Sequence, residues 1–157
     1  MDLFFFGTYD CKADAKGRIK LPVLLLNQLE PIREQGFVIK RAMHNDCLEV
    51  FPMEEWKTIS KELNTKSRYE PDNLDFIRKY TAGLRPVELD GSGRLLISKN
   101  LITTVGITKD VTLACINKNL EIWDKTLYEE TIKAPVDENT ALARKVMGGE
   151  KPKEDVS

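Results

Sequence analysis

Apolar residues along this chain form short β-rich runs and longer stretches with helical spacing. Four of the β-rich runs contain β-branched and aromatic residues and are arranged in two pairs. Within each pair, a short polar segment typical of a hairpin tip lies between the two runs. The predicted strands cover residues 37–42 and 48–51 in the first pair and 111–115 and 120–123 in the second, with tips at 44–46 and 117–119. The pattern therefore predicts two β-hairpins of the same design.

Helices are predicted around and between these hairpins. One follows Pro52, a residue suited to the first turn of a helix, and has Trp56, Ile59 and Leu63 at helical spacing. Asp72 is the predicted N-cap of the next helix, which continues to Leu84 and stops at Pro86. Shorter helical segments are predicted at residues 22–35 and 99–105, and two further helices after the predicted caps Asp124 and Asp137.

One tight turn occurs twice in the sequence. Residues 14–18 read Asp14-Ala15-Lys16-Gly17-Arg18 and residues 90–94 read Asp90-Gly91-Ser92-Gly93-Arg94, an offset of 90 − 14 = 76. Aspartate favours the opening of a turn, and glycine supplies a positive φ. The closing runs Leu48-Glu49-Val50-Phe51 and Leu120-Glu121-Ile122-Trp123 are offset by 120 − 48 = 72, so the second copy is four residues shorter. We interpret the two copies as an internal repeat.

Each copy is too short to form a sufficient core alone. We therefore expect the copies to share one core around a pseudo-two-fold axis, with the sheet closed on itself so that few strand edges are exposed. The predicted organisation is repeat 1 at residues 7–53, inter-repeat helices at 54–82, repeat 2 at 83–126, C-terminal helices at 127–147 and a disordered tail at 148–157.

Composition fits a globular protein without a strong overall attraction for nucleic acid. The 157 residues are 41% hydrophobic and carry a formal net charge of −1, so any affinity for nucleic acid must come from a local basic patch.

Cys11, Cys47 and Cys115 form no paired-thiol motif, which fits reduced thiols in the cytoplasm. No apolar run has the roughly 20 residues of a membrane span. The run Phe4-Phe5-Phe6 is too short for a signal peptide, and we expect part of it to be buried between protomers.

Taken together, these motifs resemble the MraZ family. The resemblance covers residues 3–132 and rests on the order and spacing of Phe6-Gly7, the first turn with Leu21-Pro22, Leu48-Glu49-Val50-Phe51-Pro52 with Glu55-Trp56, the second turn with Leu95-Leu96-Ile97, and Glu121-Ile122-Trp123-Asp124. It implies an α+β fold in which two swapped-hairpin repeats of the SpoVT-AbrB type form one intertwined β-barrel-like domain with peripheral helices. Ser98 departs from the family pattern, in which a proline is common, and Ser92 stands in the second turn where the first has Lys16.

The same resemblance implies a function. It implies a bacterial transcriptional regulator that binds double-stranded DNA and is located in the cytoplasm at the nucleoid. Such a protein assembles into a ring homo-oligomer. It binds short G-rich direct repeats upstream of the division and cell-wall gene cluster that contains its own gene.

The first turn is the more basic of the two. Residues 10–20 hold four cations and two acids, a net charge of 4 − 2 = +2, whereas two cations and two acids cancel over residues 83–97. Lysine can reach phosphates, and arginine can bind guanine edges with two hydrogen bonds. The charge and the resemblance together make Lys12, Lys16, Arg18, Lys20 and Arg94 the candidate DNA contacts.

An alternative interpretation makes each arginine the ion-pair partner of the aspartate in its own turn. We favour DNA contact for Lys16 and Arg18 and the ion pair for Arg94, because the second turn carries no net basic charge. Asp14, Gly17, Asp90 and Gly93 are predicted to support the shape of the turns.

The sequence does not favour an enzyme. His44 is the only histidine, and it lies in a hairpin tip where the other copy has Ile116. His44 and Cys47 have the spacing of two metal ligands, but a closed zinc site needs four ligands and the sequence offers no second pair. No P-loop or dinucleotide-binding turn is present. We therefore predict no catalytic, cofactor-binding, metal-binding or small-molecule substrate site.

A protein-binding module is the alternative from another class. An antitoxin-like protein would use the helices after Asp124 to bind its partner. Such antitoxins typically carry one repeat and a long disordered tail, whereas this chain has two repeats and a short tail, so the DNA-binding interpretation is favoured.

Overall fold

The structure repeats one order of elements along the chain: two short strands, a helix and a hairpin. It is a computed structural model that describes residues 5–148. The first half contains β1 (Thr8–Lys12), β2 (Arg18–Lys20), α1 (Val23–Leu29), β3 (Phe37–Arg41) and β4 (Leu48–Pro52). Then follow α2 (Met53–Asn64) and α3 (Pro71–Tyr80). The second half contains β5 (Arg85–Val87), β6 (Arg94–Leu96), α4 (Lys99–Thr104), β7 (Asp110–Ile116) and β8 (Asn119–Asp124), and is followed by α5 (Lys125–Ile132) and α6 (Val136–Val146).

Six strands form one antiparallel sheet in the order β1-β7-β8-β4-β3-β5, and β2 and β6 form a separate two-stranded ribbon. Each edge strand pairs with the hairpin of the other half, β1 with β7 and β5 with β3. The expected closure into a barrel is not seen within residues 5–148, where the sheet keeps β1 and β5 as two separate edges. The fold is a mixed α+β arrangement built on an antiparallel sheet.

Two strand pairs bring equivalent residues of the halves face to face. Ile19 lies opposite Leu95 in the ribbon, an offset of 95 − 19 = 76, and Glu49 lies opposite Glu121 in the sheet, an offset of 121 − 49 = 72. A pseudo-two-fold axis therefore passes through both pairs. Ile19 and Leu95 are buried in a core cluster that takes residues from both halves. Burying such a side chain contributes roughly 1.5–3 kcal/mol, so these two residues anchor the ribbon to the core.

The four residues that the second half lacks are missing from two places. Arg41 pairs with Leu48 across the first hairpin and Cys115 with Leu120 across the second, so six residues separate the equivalent positions in the first hairpin and four in the second. The other two of the four missing residues are absent from the segment between the helix and the hairpin. In the first half this segment contains a 3-10 helix, Glu30–Gln35. The predicted helix over residues 22–35 therefore divides into α1 and this segment. Pro31 accounts for the division, because it has no N–H with which to continue the α-helix.

Three predicted helix ends are wrong by a few residues, and proline or glycine explains each. Asp72 is not an N-cap, because α3 already begins at Pro71 with Glu70 in the cap position. Asp137 is likewise inside the first turn of α6, whose cap position is Pro135. Proline suits these positions because it needs no N–H partner there, and the aspartates still face the positive end of the helix dipole. The helix α3 ends at Tyr80, before Gly83 with its φ of 78°, rather than at Pro86.

A lysine is buried in the sheet, which the hydrophobic pattern did not predict. The side chain of Lys40 is fully buried, and its Nζ lies 2.6 Å from Glu49 Oε1 and 4.1 Å from the centre of the Tyr80 ring. Nζ also donates a hydrogen bond to the carbonyl of Arg41 at 2.9 Å. Trp56 of α2 stacks on Tyr80 of α3 with ring centres 6.3 Å apart. These aromatic rings are therefore packed against the sheet.

The chain divides into two compact units, Met1–Thr126 and Leu127–Ser157. In the first, Phe5 packs into the core and Phe6 is 63% exposed. Burial of Phe6 between protomers stays a prediction, and Phe4 lies outside the described residues. In the second, α6 has no buried residue, and the predicted disordered tail falls outside the described residues after Gly148. Within the described range no helix combines the length and the apolar character needed to cross a membrane.

Candidate nucleic-acid interface

The first turn is shaped by Asp14 and Gly17. Asp14 Oδ1 accepts hydrogen bonds from the backbone N–H groups of Lys16 and Arg18, both at 2.9 Å. Gly17 has a φ of 89°, a conformation that side chains with a Cβ rarely adopt. Asp14 Oδ2 also forms an ion pair with Arg18 Nε at 2.6 Å. The hydrogen bonds of Asp14 and the positive φ of Gly17 therefore fit the shape of a tight turn.

The second turn has the same backbone geometry but a different arginine. Asp90 Oδ1 accepts from the N–H groups of Ser92 and Arg94 at 2.9 Å, and Gly93 has a φ of 83°. Arg94 makes no side-chain ion pair with any residue in the range 5–148. The expected ion pair between arginine and aspartate is thus found in the first turn and not in the second, the reverse of the preference stated above. The carboxylate of Asp90 is already engaged by two backbone donors, and Arg94 is left available.

The ribbon brings three of the five candidate DNA contacts onto one face. Side chains alternate between the two faces of a strand. Because Ile19 and Leu95 point into the core, the residues on either side of them point outward: Arg18, Lys20, Arg94 and Leu96. Lys20 lies directly opposite Arg94 in the antiparallel register. We call this outward surface, made by Arg18, Lys20 and Arg94, the ribbon face.

The other two candidates lie beside the ribbon face in the chain and differ in their partners. Lys12, at the end of β1, forms an exposed ion pair with Asp110 at 2.9 Å. Lys16, at the tip of the first turn, is exposed and has no side-chain ion pair within the described part of the chain. Lys16 is therefore available to an anion, whereas Lys12 would have to leave Asp110 or share it.

Hydrogen bonds keep the aspartates of both turns ionised. The backbone N–H of Arg18 is the largest of the causes that lower the pKa of Asp14, and that of Arg94 plays the same part for the pKa of Asp90. The charges of Arg94 and Arg18 lower the pKa of Asp90 further. Arg18 thus acts electrostatically on the second turn as well as on its own. The two turns form one charged surface rather than two separate ones.

Two further residues belong to this surface and were missed in the sequence. A Cβ atom added at Gly17 would lie 3.4 Å from the Cα of Lys99, which places the exposed Lys99 at the start of α4 beside the first turn. Arg33 donates through Nη2 to the carbonyls of Leu89 and Asp90 at 3.3 and 2.5 Å. Each contact joins a turn of one half to a residue of the other half. The residues next to each other in the sequence do not indicate such a contact between halves. Only the pseudo-two-fold arrangement of the two repeats could have suggested it.

Burial keeps the three cysteine side chains in the thiol form. Burial raises the pKa of the Cys11 thiol to about 12 and that of Cys115 to about 11, so both stay protonated at neutral pH. Burial, with Glu121 and Glu49 nearby, also raises the pKa of Cys47. Among the described residues no group of three or more His, Cys, Asp or Glu side chains could hold a metal ion.

Comparison with known proteins identifies the family. The family model described as "MraZ protein, putative antitoxin-like" matches residues 4–79 and 82–146. A protein of Christiangramia forsetii named "Transcriptional regulator MraZ" is 48% identical over 144 residues, which are 92% of this chain and 93% of the relative. Proteins of the same name from Flavobacterium psychrophilum and Acetivibrio thermocellus are 45% and 33% identical, over 90% and 80% of this chain and 90% and 84% of the relatives. This chain therefore belongs to the MraZ family.

Proposed function

We propose that this protein is a sequence-specific transcriptional regulator and not an enzyme, and that it binds double-stranded DNA through the ribbon face and the first turn. Its relatives carry the name of transcriptional regulators. The proposed contacts are the five predicted candidates: Lys12, Lys16, Arg18, Lys20 and Arg94. Lys99 is added because it lies beside the first turn.

The observation that carries this proposal is the pairing of Lys20 with Arg94. The two cations lie directly opposite each other in the ribbon, and neither has an ion pair within residues 5–148. Like charges directly opposite each other destabilise a strand pair. A phosphate backbone would offset that repulsion by placing further negative charge beside the pair, in addition to the nearby carboxylate of Asp90.

Arginine and lysine are proposed to have different roles. Lysines 16, 20 and 99 are point charges suited to phosphate oxygens, which fix position without reading sequence. Arg94 is half-buried, and its guanidinium has no ion pair among residues 5–148, so it is suited to the two acceptors of a guanine edge. Arg18 has its Nε bound to Asp14, which orients the rest of the guanidinium outward from the turn. We therefore assign base reading to the arginines.

We extend the proposal to assembly and target. Each ribbon face is small and the chain has a net charge of −1, so tight binding needs several faces at once. A ring homo-oligomer that engages short direct repeats would provide them. As the family resemblance implies, we place these repeats upstream of the division and cell-wall gene cluster, and the protein in the cytoplasm at the nucleoid.

We also propose that residues 7–53 and 83–126 are swapped-hairpin repeats of one intertwined domain, with helices at 54–82 and 127–147. The exchange of β1 and β5 between the halves supports this arrangement. The ribbon supports it too, because each half supplies one of its two strands.

Fluorescence anisotropy with labelled DNA from the gene's own upstream region tests the proposal. Affinity for this DNA should exceed affinity for a shuffled sequence, and log K should fall linearly with log salt. Lys20→Ala should make the salt slope less steep by about 0.9 for each protomer that contacts a phosphate. Arg94→Ala should weaken binding by about 1–3 kcal/mol per engaged protomer and reduce the preference over shuffled DNA.

Arg78→Ala is the matched control, because Arg78 is exposed on α3 and has no ion pair among the described residues. It removes the same charge away from the ribbon face. Equal losses in Lys20→Ala, Arg94→Ala and Arg78→Ala would show nonspecific attraction and would refute this site.

Spacing between DNA repeats tests the ring separately. Inserting half a helical turn leaves every base available but puts one repeat on the opposite side of the duplex, so affinity should fall towards that of a single repeat. A full turn should recover part of the loss. Equal affinity for the native, half-turn and full-turn DNA would refute simultaneous binding of several faces while leaving DNA binding intact. Light scattering that finds a monomer at micromolar concentration would refute the ring directly.

A protein-binding, antitoxin-like role is the second candidate. One observation favours it: Val136, Leu142, Val146 and Met147, in or directly after α6, are all more than half exposed. Such a helix could bind an apolar groove on a partner protein. Co-purification of a small partner that is lost on Leu142→Glu, together with no preference for upstream DNA, would favour this role over the first.

A further inference from the structure

Arg33 holds the second turn from the opposite half of the chain. It lies in the 3-10 segment Glu30–Gln35, and its Nη2 donates to the carbonyls of Leu89 and Asp90. Its Nη1 lies 3.5 Å from Glu30 Oε2, which orients the guanidinium. The side chain is 31% exposed. Hydrogen bonds from a charged donor are about twice as strong as neutral ones, so this is a firm contact.

Asp90 is the residue through which this contact reaches the ribbon face. Its carbonyl oxygen accepts from Arg33 and from the N–H of Gly93, and its carboxylate accepts from the N–H groups of Ser92 and Arg94. Four donors thus converge on one residue. Arg33 donates to the carbonyl of Asp90. Arg94 is the first residue of β6, where it lies opposite Lys20.

The first turn has no such support. The carbonyls equivalent to those of Leu89 and Asp90 belong to Ala13 and Asp14. No side chain donates to either carbonyl within the described part of the chain; instead the N–H of Ala13 donates to the carbonyl of Lys109 at 2.8 Å. The second half lacks the 3-10 segment that carries Arg33. Both turns are therefore joined to the other half by a backbone hydrogen bond, which for the second turn runs from the N–H of Leu21 to the carbonyl of Gly93 at 2.9 Å, and the second turn alone has a guanidinium contact in addition among the described residues.

We propose that Arg33 is a positioning residue for DNA recognition, which holds the second turn in the shape that presents Arg94 and does not itself bind DNA. This inference rests on the proposed function. Two donor groups of Arg33 are directed at protein oxygens, and its contacts end at the turn rather than on the ribbon face. A turn that already has the required shape before DNA binds loses less conformational entropy on binding, so the affinity for DNA is higher.

A double-mutant cycle with Arg94 tests the assignment. Arg33→Ala should weaken binding of the upstream DNA by on the order of fivefold, the value of about one hydrogen bond, with the salt slope unchanged. In an Arg94→Ala background the same change should have little further effect, because the group it positions is gone. Arg33→Lys keeps a charged donor and should restore most of the affinity. Arg78→Ala is again the control for loss of one arginine charge.

Hydrogen exchange provides a readout that does not depend on DNA. In the free Arg33→Ala protein, the amides of Ser92, Gly93 and Arg94 should exchange several times faster, and those of Gly17 and Arg18 should not change. If the wild-type protein showed no preference for upstream DNA, the proposed function would fail, and the exchange result would still decide whether Arg33 holds the turn.

Three results would overturn the inference. One is a salt slope that becomes less steep in Arg33→Ala, which would make Arg33 a direct phosphate contact. Another is an additive loss in the Arg33→Ala and Arg94→Ala double variant. The third is unchanged exchange at residues 92–94. If Arg33→Ala does not fold, Arg33→Gln is measured in its place, because its amide can donate to one of the two carbonyls.

Discussion

Replacing Lys40 with methionine removes a buried charge while keeping a long unbranched side chain. Lys40 is fully buried, its Nζ is 2.6 Å from Glu49 Oε1, and it donates to the carbonyl of Arg41 at 2.9 Å. It also lies over the ring of Tyr80. Methionine fills a similar space, so the loss of stability should report the charge rather than a cavity.

The structure sets the size of the effect. Breaking a buried ion pair by removing one partner typically costs about 3–5 kcal/mol, because the other charge stays buried. The side chain of Glu49 is 19% exposed and has Asn119 Nδ2 at 3.5 Å, so some compensation is available. Loss of the hydrogen bond to Arg41 and of the cation–π contact adds about 1 kcal/mol each. These contributions sum to about 5–7 kcal/mol. We expect Lys40→Met to lower the free energy of unfolding by about 3–4 kcal/mol, below that sum, because partial exposure of Glu49 and its contact with Asn119 offset part of the loss.

Urea unfolding at pH 7 measures the loss of unfolding free energy in Lys40→Met. A variant with both Lys40 and Glu49 replaced isolates the contribution of their ion pair. Lys40→Met with Glu49→Gln should be much less destabilised than the sum of the two single variants, because no unpaired charge is left. Lys12→Met is the matched control: its ion pair with Asp110 is 2.9 Å long but exposed, so the unfolding midpoint should barely move. A loss below about 1 kcal/mol for Lys40→Met, or additive single variants, would refute the reasoning.

Two other changes test the turns and the carboxylate pair. Gly17→Ala should destabilise the protein by about 1–3 kcal/mol, because the φ of 89° is strained for alanine and its Cβ would lie 2.7 Å from the backbone oxygen of Ile97. Gly93→Ala should cost less in the same urea experiment, because its nearest contact is the end of the Leu26 side chain, which can rotate; equal losses would contradict this. Burial, with Glu49 opposite, raises the pKa of Glu121 above 4.5, so its ionisation lowers stability as the pH rises through and above that value. Glu121→Gln should therefore raise the urea midpoint at pH 7 but not below about pH 4, and a gain that persists in acid would show that the charge is not the cause.

Features that depend on neighbours in the sequence could be predicted. The turn at Asp14 needs only an aspartate, a glycine and a strand on either side, and the structure has the hydrogen bonds that these residues favour. The hairpins and the helix after Pro52 follow from local composition and spacing in the same way. The predicted helix starts were wrong by only one or two residues, because proline and aspartate both favour the cap and first-turn positions of a helix.

Features that depend on distant residues could not be predicted. A lysine in a strand is expected to face water, but Lys40 is buried, and its contacts include the ring of Tyr80 from a distant helix. Arg94 was assigned from the charge of its own turn, although the residue opposite it, Lys20, comes from the other half. The sheet was expected to close on itself so that few strand edges would be exposed, but β1 and β5 remain separate edges in the described part of the chain. The core is shared by exchange of β1 and β5 instead.

The ribbon made by one strand from each half has an evolutionary consequence. In an assembly of two identical short chains, every substitution appears on both sides of the axis, so the two turns could never differ. Joining the copies in one chain frees each side to diverge while the paired strands keep them together. The divergence is visible at the helix starts, where Lys99 in one half corresponds to the exposed Val23 in the other, and at Arg33, which one half has and the other lacks. Two copies in one chain therefore allow one turn to acquire contacts that the other lacks.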